Sequence, residues 1–207
     1  PAIHNLLQLP AIKTNNKERI MSKTIEFFYD IASPYSFLAA TQISRLEKLA
    51  PVVWRPFLIG GVFKASGNMM PGANPFKGQY MLKDLQRLSK YYGEPLRFPS
   101  RFPINSLNAM RALTAADPAD LPALTLKLFR AYWVDDRDVA DVAVLTELLG
   151  ADLMAKTQDD AVKAKLKEAT ESAAQRGAFG APTFFVGDDM YFGEDRIFLI
   201  EHDLKGQ

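Results

Sequence analysis

A chain of 207 residues suits one domain, or one domain carrying a large insertion. Hydrophobic side chains make up 48% of it, enough for a core without covalent staples, and 25 basic against 24 acidic residues argues against a general nucleic-acid binder. The absence of cysteine excludes disulfides, thiolate zinc sites and a protein thiol nucleophile; His4 and His202 stand too far apart in sequence for a histidine metal cluster to be expected, and no apolar run is long enough to span a membrane.

Residues 1–20, PAIHNLLQLPAIKTNNKERI, lack the charged start, long apolar stretch and small-residue cleavage site of a secretory signal. Residues 1–21 are expected to be an extension outside the fold, and a cytoplasmic protein is the default expectation. Residues 24–30, TIEFFYD, are rich in β-formers and read as a buried strand. Residues 34–50 read as a helix: Ser33 is a good N-cap, and Pro34 fits the first helical position, where a missing N–H costs nothing. Residues 52–57, VVWRPF, give a second strand, so the unit is βαβ with a parallel pair and a right-handed crossover.

A Gly/Pro-rich stretch, IGGVFKASGNMMPGANPFKG, follows over 59–78. It is long for a connector, which points to function or a short internal helix. Helical patterns then run over 79–92, 105–116, 121–134, 139–149 and 159–176, with DPAD and DDRDVAD as caps and turns. After Gly177 the texture changes. Short strands at 183–186 and 190–192 flank a Gly-Asp-Asp turn, and a helix over 194–204 closes the chain. The order is βαβ, a helical middle, then ββα.

That order, with an X-Pro before the third strand, resembles the thioredoxin fold, and the helical insertion is similar to the DsbA arrangement. The segments YDIASPYSFLA, RPFLIGGVFKASGN, PFKGQYMLKDLQRL, FPINSLNAMRAL, GAFGAPTFFV and YFGEDRI together resemble the kappa-class glutathione transferases and the 2-hydroxychromene-2-carboxylate isomerases. The resemblance implies an α/β thioredoxin-like domain from 22–58 and 178–207, interrupted by a helical insertion at 59–177. It also implies glutathione as the source of sulfur, a homodimer, and a small aromatic or electrophilic substrate, with no nucleic acid or membrane partner.

In thioredoxin relatives the position of Ser33 holds a nucleophilic cysteine. An isolated Ser-Pro reads as a plain cap, but the resemblance makes Ser33 the hydrogen-bond donor to a glutathione thiolate, and leaves Ser36 a structural residue. It implies a cis Ala181–Pro182 bond, with Ala181 offering backbone N–H and C=O to the glutathione peptide. Glu194 and Asp195 fall where the family meets the γ-glutamyl end. Many relatives have Ser or Asn in place of Glu194, which makes Asp195 the better candidate for the ammonium. Acidic residues there would in any case complement a helix dipole. Asn68 and Lys77 match positions facing glutathione or the substrate acid, although a loop lysine is ordinarily solvated. Tyr80, Trp133 and Phe63 are candidates to line an apolar pocket, Trp54 is expected in the core, and Arg55 is an ion-pair candidate.

Three functions stay open from sequence. The first is a glutathione-dependent isomerase: thiolate addition to a conjugated aromatic-pathway substrate, rotation, then elimination. The second is kappa-class transferase or peroxidase activity on electrophiles. The third is a thioredoxin-like binding module without catalysis.

Overall fold

A computed structural model describes residues 24–206. The expected extension at 1–21 lies outside the described residues. Strand β1 (Ile25–Tyr29) forms from a run of aromatic and branched side chains that is almost wholly buried. It pairs in parallel with β2 (Val52–Pro56), Ile25 opposite Val52. On its other side it pairs antiparallel with β3 (Thr183–Val186), which pairs antiparallel with β4 (Asp189–Phe192). The sheet order is β2-β1-β3-β4. The aromatic rings of Phe27, Tyr29, Trp54 and Phe184 pack against one another across the strands. The buried Tyr29 hydroxyl is satisfied by Thr125 Oγ1 at 2.7 Å.

Helix α1 (Pro34–Glu47) crosses between the parallel strands, capped by the Ser33 side chain as expected. Between β2 and β3 lie α2 (Ile59–Ser66), a 3-10 turn (Pro71–Ala73), α3 (Pro75–Tyr92), α4 (Leu107–Ala115), α5 (Leu121–Trp133), α6 (Val142–Leu149), α7 (Ala151–Lys156) and α8 (Asp160–Gln175). The chain closes with a 3-10 turn (Glu194–Arg196) running into α9 (Ile197–Lys205).

The stretch at 59–78 is more ordered than a connector. Gly60 and Gly61 are poor helix formers, yet α2 forms because the bare Gly61 lets it lie tightly on α8. A Cβ there would come within 2.7 Å of Thr170 Cγ2, and the Thr170 hydroxyl accepts the Leu58 N–H at the head of α2. Helix α3 begins at Pro75 rather than 79, because Asn74 Oδ1 accepts the Phe76 and Lys77 N–H groups. The last expected helix is divided, its first turn being 3-10.

Strand direction decides where the chemistry can lie. The parallel strands β1 and β2 both end at one edge of the sheet, delivering residues 30–34 and 57–61 there. Thr183 pairs with Phe28 and with Phe192, so the start of β3 and the end of β4 reach the same edge. Residues 180–182 and 193–195 therefore join the other two segments. In open α/β sheets this carboxyl edge of the parallel strands is where ligands bind.

Candidate active site

A cavity of about 930 Å³ opens at that edge, roofed by α2, α3 and the segment leading into α4. Among the sequence-predicted residues it brings together Ser33, Asn68, Ala181, Glu194 and Asp195. Ser33 is 4% exposed and holds extended backbone at the head of α1. Its Oγ accepts the Ser36 N–H at 3.1 Å and donates to the Ala181 carbonyl at 3.0 Å. The peptide bond between Ala181 and Pro182 is cis, as the resemblance implied. Pro182 itself is buried and turned into the fold, where its carbonyl accepts the Gly193 N–H at 3.0 Å. Phe102–Pro103, also on the cavity wall, is cis as well.

Asn68 ties the end of α2 to the segment before Ala181. Its Nδ2 donates to the Phe179 carbonyl at 2.8 Å, and its Oδ1 accepts the Met69 N–H. Lys77 does not line the cavity itself. Early helix formation at Asn74 puts it in the first turn of α3, exposed, on an adjoining recess that shares Tyr35, Pro71, Tyr80 and Met81 with the cavity. Phe63 and Tyr80 do line the cavity. Trp133 does not; it is fully buried, its Nε1 donating to the Ile31 carbonyl at 2.8 Å. Trp54 sits in the core, and Arg55 pairs with Glu26 at 3.1 Å.

Three features escaped the sequence. Asp30 is fully buried and lines the cavity. Its carboxyl accepts the Ala32 N–H at 3.0 Å and the Ile59 N–H at 2.9 Å, and bonds to the Ser106 side chain. It thus knits the Ser33 turn, the head of α2 and the approach to α4. Burial raises its pKa, and the two backbone N–H groups pull against that rise. Asp84 of α3 accepts from the Tyr35 hydroxyl at 3.1 Å and from the Tyr80 hydroxyl at 3.3 Å, joining α3 to the first turn of α1. Finally, Glu194 is only 5% exposed. Burial, then the neighbouring Asp195 and Asp84 charges, push its carboxyl up to about 7. Its Oε2 accepts the Asp195 N–H at 2.7 Å, so that N–H is already occupied. Asp195 pairs with Arg196 at 2.6 Å in an exposed contact.

The cavity is acidic. Asp30, Asp84, Glu194 and Asp195 line it, and among the described residues that line it there is no lysine, arginine or histidine. A bound ammonium would complement that wall. The Ser36 hydroxyl, by contrast, is buried without a hydrogen-bond partner among the described residues. Such a group costs about 1–3 kcal/mol. Ser36→Ala is therefore expected to raise Tm by about 2–4 °C per kcal/mol recovered, measured by calorimetry on the free protein; a lower Tm would show that the hydroxyl is satisfied.

The DSBA-like thioredoxin domain family matches residues 24–205. Human glutathione S-transferase kappa 1 is 35% identical over 205 residues, covering 88% of this chain and 91% of that protein. The 2-hydroxychromene-2-carboxylate isomerase of Sphingobium xenophagum is 32% identical over 191 residues, covering 87% and 97%. A solved structure of 2-hydroxychromene-2-carboxylate isomerase superposes with a TM-score of 0.78 at 28% identity, covering 88% of this chain and 94% of the other. Both groups of relatives are enzymes. The cysteine-free α1 head, the Ala181–Pro182 segment and the acidic wall thus stand on a DsbA-like thioredoxin fold, and the chain belongs to the DSBA-like thioredoxin domain family, among the kappa-class glutathione transferases and 2-hydroxychromene-2-carboxylate isomerases.

Proposed function

We propose that this chain is a glutathione-dependent enzyme in which Ser33 holds the glutathione sulfur as a thiolate. The observation that carries the reading is a buried hydroxyl on the cavity wall at the head of α1, beside the backbone of Ala181. Ser33 acts as donor and not as nucleophile, because its Oγ meets a carbonyl and an N–H and no base. Ala181, set by its cis bond to Pro182, offers its backbone to the peptide, Asn68 fixes the approach to it, and Glu194 and Asp195 take the ammonium. Lys77, at the edge of the adjoining recess, is assigned to a ligand carboxylate. When bound, glutathione supplies a nucleophilic sulfur that a chain without cysteine lacks.

In the isomerase form of the reading, that sulfur adds to a conjugated bond of a hydroxychromene carboxylate, and rotation and elimination follow. A cavity of about 930 Å³ has room to hold both reactants in one orientation. The acidic wall favours a second form: transfer to an uncharged electrophile. An aromatic carboxylate entering the cavity would face Asp84, Glu194 and Asp195 without a cation among the described lining residues. Parallel assays with a chromene carboxylate and a halonitroarene discriminate the two. We extend the proposal to a homodimer, for which exposed Phe76 and Tyr91 on α3 offer apolar surface.

The primary test is titration calorimetry of the wild-type chain with glutathione. Saturable binding at or below millimolar concentration is expected. No heat in that range would overturn the enzymatic reading and leave a binding module.

A further inference from the structure

The Ser33 hydroxyl carries a single proton, and in this structure that proton is committed. It lies on the Ala181 carbonyl at 3.0 Å, and since a carbonyl can only accept, the direction of the bond is fixed. The lone pairs of the same oxygen take the Ser36 N–H. A hydroxyl so engaged has nothing left to offer a thiolate. Ala181 lines the cavity just ahead of β3, and its own N–H meets no hydrogen-bond acceptor among the described residues. A backbone stub just ahead of a strand, with an N–H and a C=O both reachable from the cavity, is an element on which a peptide ligand can lay an added strand.

We propose that the Ala181 carbonyl exchanges partners on ligand binding: an N–H of the bound peptide replaces the Ser33 hydroxyl, and the freed hydroxyl turns to the ligand sulfur. This rests on the glutathione reading above. Seating of the peptide backbone and activation of its thiol then become one event. A ligand that seats badly leaves Ser33 on Ala181 and keeps its thiol protonated. The proton leaving the sulfur passes to solvent; no protein base is needed. The Ser33 cap on the Ser36 N–H survives the exchange, because only the hydroxyl proton moves.

The exchange predicts opposite signs for two measurements. S-methylglutathione has no thiol to stabilise, so in the wild type it must break the Ser33–Ala181 bond without return. In Ser33→Ala that bond is absent and the carbonyl waits unpaired. S-methylglutathione is therefore expected to bind Ser33→Ala about three- to tenfold more tightly than wild type, the span given by one net hydrogen bond. A second measurement uses only the wild type, with a glutathione analogue whose γ-glutamyl–cysteinyl amide is an ester. It lacks the N–H that displaces Ser33. Its bound thiolate fraction, read by ultraviolet absorbance, should fall about tenfold or more below that of glutathione, as expected for losing a hydrogen bond to a charged group. Equal affinity of S-methylglutathione for the two proteins, or full ionisation of the bound ester, overturns the exchange while the glutathione site stands. Failure of the wild type to bind glutathione at all overturns both.

Discussion

Ser33→Ala is expected to lower kcat/KM for glutathione-dependent turnover by about 10- to 150-fold, the worth of one hydrogen bond to a charged group. A free thiol has a pKa of about 8.5, so half-ionising it at neutral pH takes about 2 kcal/mol. The head of α1 contributes about 0.3–1 kcal/mol through its dipole. A hydroxyl donor worth about 1.5–3 kcal/mol closes the gap, and Ser33 is the cavity-lining hydroxyl that caps the head of α1. Its loss should raise the apparent pKa of the rising limb of the pH–rate profile back toward the free thiol value. The fold should survive: losing the cap costs about 1 kcal/mol, while α1 keeps Phe37, Leu38, Ile43 and Leu46 buried. Unchanged turnover in a folded Ser33→Ala protein would refute the assigned role. Reduced turnover together with tighter S-methylglutathione binding would be hard to obtain from a residue that only caps a helix.

Ser33, Ala181 and Glu194 were singled out by the family resemblance; local rules alone read them as a Ser-Pro helix cap, an X-Pro before a strand and acids at a helix head. Topology then brings them together, since the register of β1 with β3 and of β3 with β4 carries all three to one edge. The partners were not readable because they depend on packing. Asp84 meets Tyr35 only once α3 lies against α1, and nothing near Asp84 in sequence signals that. Asp30 looks like the end of a strand; its role comes from N–H groups two and 29 residues away. Lys77 stands on the adjoining recess and not on the cavity wall for a local reason. Asn74 and Pro75 start a helix in what reads as a loop, and the helix turns Lys77 toward solvent. Two glycines left α2 only one of two readings of its stretch, because the close contact with Thr170 that Gly61 permits lies more than a hundred residues downstream.

Glutathione binding is expected to weaken as pH falls below about 7, by up to about tenfold per pH unit. Glu194 is pushed up to about 7 by burial first and by Asp195 and Asp84 second. Tyr35 and Tyr92 of the packed helices lie within its field, and Arg45 within that of Tyr92; Arg196 is held by Asp195. An ammonium placed among these carboxyls requires Glu194 ionised, so acid competes with the ligand. Glu194→Gln should flatten that dependence and lose about tenfold in affinity on the alkaline side, a charge-assisted bond having become a neutral one. The free protein should respond with the opposite sign. The folded carboxyl binds its proton more tightly than the ordinary 4.5, so the stability this contributes is full below about 4.5 and is lost as pH rises through about 7. Above that point the wild type buries a charge that Glu194→Gln does not. The variant should therefore melt higher than wild type in alkaline buffer, with the difference vanishing in acid, while binding glutathione less well. A pH-independent loss of both stability and binding would instead mean that Glu194 serves only to cap the Asp195 N–H.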